Sequence, residues 1–175
     1  MPGEQEQCIF CLIKDKKSPS FAVYEDDFVI SVLDRVPATK GHLIVIPKKH
    51  VSGIHELSEE EVSKLFIACQ RIIFAQSQVL DCEGVNLVYS MGSGAGQRSP
   101  HMIVYLIPRY KDDQVSIVWS PAKLTDDDMK GVFNALSQVL KGAAMPVIAE
   151  KEPVVIEEKL KEEEVIEKKP RVPNY

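Results

Sequence analysis

Short apolar runs punctuated by turn residues alternate along this chain with two stretches of helical period. Residues 28–33, 42–46, 85–90, 101–107 and 115–119 are rich in β-branched side chains. Pro37, Gly41, Gly84 and the glycines between 92 and 96 bound them, which predicts strands. Between the second and third of these runs, Val62, Leu65, Phe66, Cys69, Ile72, Ile73 and Leu80 recur at helical spacing. Ser58 with Glu61 forms a capping box that would start this helix. A second helix is predicted from Thr125, a hydroxyl cap followed by Asp126, Asp127 and Asp128, where the helix dipole favours negative charge. Met129, Val132, Phe133, Leu136 and Leu140 make the stripe it is expected to bury. Strands, helix, strands, helix describe an α+β domain with a mainly antiparallel sheet.

The composition changes near residue 142. Positions 150–175 hold eight acidic and six basic side chains with Pro153, Pro170 and Pro173 among them. The predicted organisation is therefore a domain over 1–141 and a charged tail over 142–175, in which Glu157–Lys161 and Glu164–Lys168 would support a short surface helix. The tail is a candidate docking segment for a protein partner.

Charge and hydropathy narrow the classes. The 21 basic and 26 acidic residues give a net charge of −5, which argues against a general nucleic-acid binder. No apolar run approaches the length of a membrane span, and no charged-then-apolar leader precedes Cys8, so a cytoplasmic setting is expected. With no sign of secretion, the four cysteines do not suggest a disulfide framework. Cys69 reads as a small helix hydrophobe and Cys82 as an incidental turn thiol. Cys8 and Cys11 have the spacing of two thiolates of a tetrahedral zinc site. The histidines at 42, 50, 55 and 101 are the other candidate ligands, and spacing alone leaves open a metal site or a reduced thiol pair.

Several motifs in order carry more. They are Cys8-Ile-Phe-Cys11, Tyr24-Glu-Asp-Asp27, Gly41-His-Leu-Ile-Val-Ile-Pro-Lys-Lys-His50, Gly84-Val-Asn86, Gly92, and Gly96-Gln-Arg-Ser-Pro-His-Met-Ile-Val-Tyr-Leu-Ile-Pro-Arg109. Together they resemble the histidine triad (HIT) family over roughly the first two thirds of the chain. Its signature strand reads His-φ-His-φ-His-φ-φ, with φ apolar. Alternate residues of a strand share a face, so His101, Ile103 and Tyr105 would point together, and Met102, Val104 and Leu106 the other way.

The resemblance implies an HIT-like fold with one long and one shorter helix. It implies that Cys8, Cys11, His50 and His101 hold a structural Zn2+. His42 and His55 are left as strand-end or surface histidines. It also implies a purine nucleoside or nucleotide site. Ile9, Phe10 and Ile13 match the apolar slot, and Asp34 matches the ribose carboxylate. Gln97 and Arg98 lie at the phosphate, where the 92–96 glycine loop offers further N–H groups. The middle histidine of the family's triad is the nucleophile, and this chain has Ile103 there; Tyr105 stands at the third position. An isoleucine has no lone pair to attack phosphorus. The expectation is a non-catalytic nucleotide-binding or interaction module, commonly a homodimer. The alternative is a nucleotide hydrolase or nucleotidyl transferase with an atypical mechanism.

Overall fold

The computed structural model describes residues 8–142, which fall into two units divided after Trp119. Of the predicted 142–175 tail, the residues from 143 onward, with the two Glu–Lys pairs, lie outside the described residues.

In the first unit, helix α1 (Ile9–Lys14) precedes strands β1 (Ala22–Glu25), β2 (Val29–Leu33) and β3 (Leu43–Pro47). Helix α2 (Glu59–Val79) then leads to β4 (Gly84–Tyr89) and β5 (Val104–Arg109). The strands form one antiparallel sheet in the order β1-β2-β3-β5-β4. This is the α+β, mainly antiparallel architecture expected.

Alternation splits the sheet cleanly into two faces. Val29, Leu43, Val45, Met102, Val104 and Leu106 pack with Leu65, Ala68, Cys69 and Ile72 of α2. Ile30, Val32, Ile44 and Ile46 face the other way and receive Ile13 of α1, with Phe10, Ile103 and Tyr105 packed around them. Helix α2 starts as predicted: Glu61 N–H donates to Ser58 Oγ (3.2 Å), and Ser58 N–H to Glu61 Oε2 (2.8 Å). Phe66 departs from the expected stripe and is exposed. Gln76, polar and unforeseen, is buried and donates to the Gly41 carbonyl at 3.0 Å.

Three further expectations are corrected. Residues 115–119 form no strand. Arg109 Nη2 donates to the Val115 carbonyl (2.6 Å), and Val115 N–H donates to Asp113 Oδ1 (3.0 Å), so side chains take the backbone groups of Val115 that a ladder would need. The fifth strand is instead β1, a four-residue edge piece, Ala22-Val23-Tyr24-Glu25, with mostly exposed side chains. The triad strand is shorter than predicted: its ladder begins at Val104, and Met102 N–H bonds to the Val51 carbonyl of a loop.

The second unit contributes helix α3 (Asp126–Gly142), capped as expected by Thr125, whose Oγ1 accepts from Asp128 N–H at 3.2 Å. Its apolar stripe is not buried; Met129, Val132, Phe133, Leu136 and Leu140 are exposed. Among the described residues this unit supplies a single helix, and one helix has no second surface to cover its own apolar face. No described helix is long and apolar enough to cross a membrane.

Candidate metal centre and adjoining cavity

Strands β3 and β5 are antiparallel neighbours, with Val45 opposite Val104. The end of one and the start of the other therefore meet at one end of the sheet's inner strands. His50 lies just beyond the end of β3, and His101 just before the start of β5. Helix α1 lies against the same region through Ile13 and presents Cys8, its N-cap residue, and Cys11. The outcome is a cluster of two thiols and two imidazoles whose ligand atoms all lie within 4.8 Å of one another. Cys11 Sγ is 3.2 Å from His50 Nδ1, and each sulfur is 3.6 Å from His101 Nδ1. Zinc bonds of about 2.3 Å to sulfur and 2.0–2.1 Å to nitrogen give tetrahedral edges of roughly 3.3–3.8 Å. The donors fit such an ion in type, and these three sulfur–nitrogen distances lie near its tetrahedral edges.

The tautomer fits as well. His101 is fully buried, and its Nε2 lies 2.8 Å from the Pro47 carbonyl oxygen. A carbonyl only accepts, so Nε2 carries the proton and Nδ1 keeps its lone pair for the cluster. Burial pushes the His101 pKa down, the Pro47 carbonyl opposing and His50 assisting, so the ring is neutral near pH 7. Burial, with the neighbouring Cys8 thiol next, pushes Cys11 up to about 11. Without a cation Cys11 stays a thiol; binding a metal would release its proton.

Against this cluster opens a cavity of about 610 Å³. Cys8, Ile9 and Phe10 form one wall, and Gly96 to Pro100 with Ser90 form another; Ile103 and Tyr105 also line it. Four of the residues expected at a nucleotide, Ile9, Phe10, Gln97 and Arg98, thus come together. Ile13 and Asp34 do not line this cavity. Ile13 is buried under α1, whereas Asp34 follows β2 and accepts from Val36 N–H at 2.8 Å.

The polar lining differs from expectation in detail. Gln97 braces its own loop: Oε1 accepts from Gly92 N–H (2.7 Å), and Nε2 donates to the carbonyls of Ser52 (2.8 Å) and Ser99 (2.9 Å). Its amide protons are thereby spent on protein. The glycine loop is no open anion cradle either, since the N–H groups of Ala95, Gly96 and Gln97 bond to carbonyls within the loop. Arg98 remains, exposed and in no ion pair among the described residues. Burial first, then Asp34, raises the Tyr105 pKa, with Arg98 opposing, so the phenol stays protonated at neutral pH.

His42 stands at a strand end as expected, directly before β3, and is buried, with its ring 5.2 Å from that of Tyr105. Its Nδ1 accepts from Ala38 N–H (3.1 Å), which fixes the neutral ring, and burial lowers its pKa against the pull of Asp34. A histidine turning at a strand end gave no signal of this. His55 is exposed, as expected. The Pro47 carbonyl was equally invisible beforehand, because a backbone acceptor leaves no mark in the residue type.

Residues 15–112 match the family model for the HIT domain. This chain belongs to the HIT domain family. The Bacillus subtilis relative called protein hit is 39% identical over 126 residues, 71% of this chain and 85% of that one. An adenosine 5'-monophosphoramidase of Saccharomyces cerevisiae is 32% identical over 124 residues, 71% of this chain and 76% of the enzyme. The crystal structure of a HIT family protein from Bacillus anthracis superposes with a TM-score of 0.71 at 34% identity, covering 77% of this chain and 97% of that one. A zinc-bound histidine triad family protein from Mycobacterium smegmatis gives 0.61 at 28% identity, over 79% and 99% of the two chains. The HIT domain match begins after Cys8 and Cys11, so half of the metal-compatible cluster lies outside the matched stretch.

Proposed function

We propose that this HIT protein is a nucleotide-binding module that has lost the family's covalent chemistry, with a structural zinc held by Cys8, Cys11, His50 and His101. One observation carries the reading. The cavity wall presents Ile103, a hydrocarbon, at the middle position of the triad strand. Removing a covalent nucleophile typically costs several orders of magnitude in rate. Tyr105 does not replace it, because burial keeps its phenol protonated and therefore weakly nucleophilic.

Four protein ligands would leave the zinc no open position for water, so the ion would supply folding free energy rather than chemistry. The bound molecule would be a purine nucleoside or nucleotide, its apolar part against Ile9 and Phe10 and its anionic part toward Arg98. Ile13 and Asp34 would act from outside the cavity lining, and Gln97 by holding the loop. A homodimer in the cytoplasm, with a domain to residue 141 and the 142–175 tail as a protein-docking segment, completes this reading.

The similarity to the yeast phosphoramidase favours a second reading, hydrolysis of a nucleotide by another group. The two separate in one assay. Adenosine 5'-phosphoramidate is incubated with the wild-type chain and with Tyr105→Phe, and intact protein is weighed by mass spectrometry. Background turnover with no adenylyl adduct is expected. Turnover abolished by Tyr105→Phe, or an adduct on the wild type, would establish the hydrolase instead.

A further inference from the structure

The two walls of the cavity end on the same cluster of sulfur and nitrogen donors. One wall is the start of α1, where Cys8 is at once a cavity residue and a member of the cluster. The other is the 96–100 loop, which runs directly into His101; the backbone N–H of His101 donates to Ser99 Oγ at 3.1 Å. Where the walls meet, Cys8 Sγ lies 3.6 Å from His101 Nδ1, and the rings of Phe10 and His101 meet edge-on at 6.0 Å.

Helix α1 has little else to hold it. It is six residues long and its N-cap makes no side-chain hydrogen bond. A helix of that length is unstable by itself in water. Its ties to the sheet are Ile13, seated on Ile30, Val32, Ile44 and Ile46, then Phe10, packed against the same cluster, and the two sulfurs. Ile13 fixes the far end of the helix. At the end that walls the cavity, Phe10 packs against the sheet, and Cys8 and Cys11 bring their sulfurs to the cluster.

We propose that the metal centre is the clasp of the cavity: zinc occupancy sets the affinity for a nucleotide, and the nucleotide tightens zinc in return. This rests on the reading that the cavity takes a nucleotide. A ligand touching Ile9 and Phe10 on one side and Arg98 on the other gains both sets of contacts only while the walls keep this separation. Zinc bonds to Cys8 and His101 join the walls. Without them, ordering the first turn of α1 costs conformational entropy that is subtracted from ligand binding. Linkage makes the effect reciprocal, and couplings of this kind span roughly 5-fold to 150-fold.

The test uses the full chain and adenosine 5'-monophosphate as the probe. Calorimetry gives the nucleotide affinity of the zinc-loaded and chelator-stripped protein. Competition with a chromophoric chelator gives the zinc affinity with and without saturating nucleotide. The expected result is nucleotide binding weaker by about tenfold or more in the stripped protein, with zinc tightened by the same factor when nucleotide is present. His50→Ala, which lines no part of the cavity, should reproduce the weakening. Phe10→Ala should keep zinc and remove the response of zinc affinity to nucleotide. Equal nucleotide affinity with and without zinc overturns the clasp and leaves the binding reading standing. No nucleotide binding by either form overturns both. If the stripped chain loses its fold, the Phe10→Ala comparison still decides: an undiminished response of zinc affinity to nucleotide in that variant rejects the clasp.

Discussion

The imidazole of His101 and the carbonyl of Pro47 lie 2.8 Å apart, and this one contact chooses which ring nitrogen the cluster receives. Donation from Nε2 to the carbonyl turns Nδ1 toward the sulfurs of Cys8 and Cys11. Such outer contacts orient metal-bound histidines and raise their basicity.

It follows that His101→Ala should abolish zinc binding and also leave the buried Pro47 carbonyl unpaired, a loss of about 1–3 kcal/mol beyond the metal. The measurement is zinc content together with the thermal midpoint before and after chelation. Chelation should lower the midpoint of the wild type and leave that of His101→Ala unchanged. Undiminished zinc in both His101→Ala and Cys8→Ser would remove the metal assignment.

Where sequence predicted structure well, the signal was local or periodic. The capping pair Ser58 and Glu61 is made by residues three apart, and the two faces of β2 and β3 follow from strict alternation. The failures have the opposite character. Strand β1 is apolar in sequence over Ala22-Val23-Tyr24, yet at the sheet's edge most of its side chains stay exposed, and four residues are too few to set a period. Residues 115–119 have strand-like composition, yet Arg109 and Asp113 capture the backbone groups of Val115, the first of them. At the site, the Cys-x-x-Cys spacing was legible, but its histidine partners lie 39 and more positions away. Spacing cannot bring them together; only the resemblance and then the β3–β5 pairing do.

Gly41 supports a different prediction. Its φ of +82° lies in the left-handed region, and its carbonyl accepts from buried Gln76. A Cβ there would also crowd the Leu80 side chain, although that flexible end can move. Gly41→Ala should therefore cost about 1–2 kcal/mol, mainly from the backbone conformation. Urea denaturation checks it. Stability equal to the wild type would mean that the turn relaxes to negative φ.

The Cys69 thiol predicts how stability responds to alkali. Burial in the α2 interface pushes its pKa from 9.0 up to about 11. The folded state thus favours the neutral thiol, a contribution fully present below the unfolded value. It fades as pH rises from about 9 through 11, by roughly 2–3 kcal/mol if the whole shift is realised. Denaturant midpoints for wild type and Cys69→Ala across pH 7 to 11 should converge as pH rises. A constant difference between them would refute this.

Arg109 gathers the segment after β5, beside the Tyr110 hydroxyl, which donates to the Lys40 carbonyl at 2.8 Å. Its guanidinium reaches Asp113 Oδ1 and Oδ2 (2.8 Å each), Asn86 Oδ1 (2.7 Å) and the Val115 carbonyl (2.6 Å). Arg109, then the Tyr110 and Val115 N–H groups, hold the Asp113 carboxyl well below the usual carboxylate range. A depressed folded pKa means that this tie is fully present above about pH 4 and is lost only in stronger acid. At neutral pH, then, only mutation should break it. In Arg109→Ala the Val115 carbonyl and Asp113 lose their common partner, and chymotrypsin should cut at Tyr110 and Trp119 several times faster. The α2 amides should exchange as in the wild type, because this tether lies outside the core they protect. Unchanged cleavage would show that the segment is held by something other than Arg109.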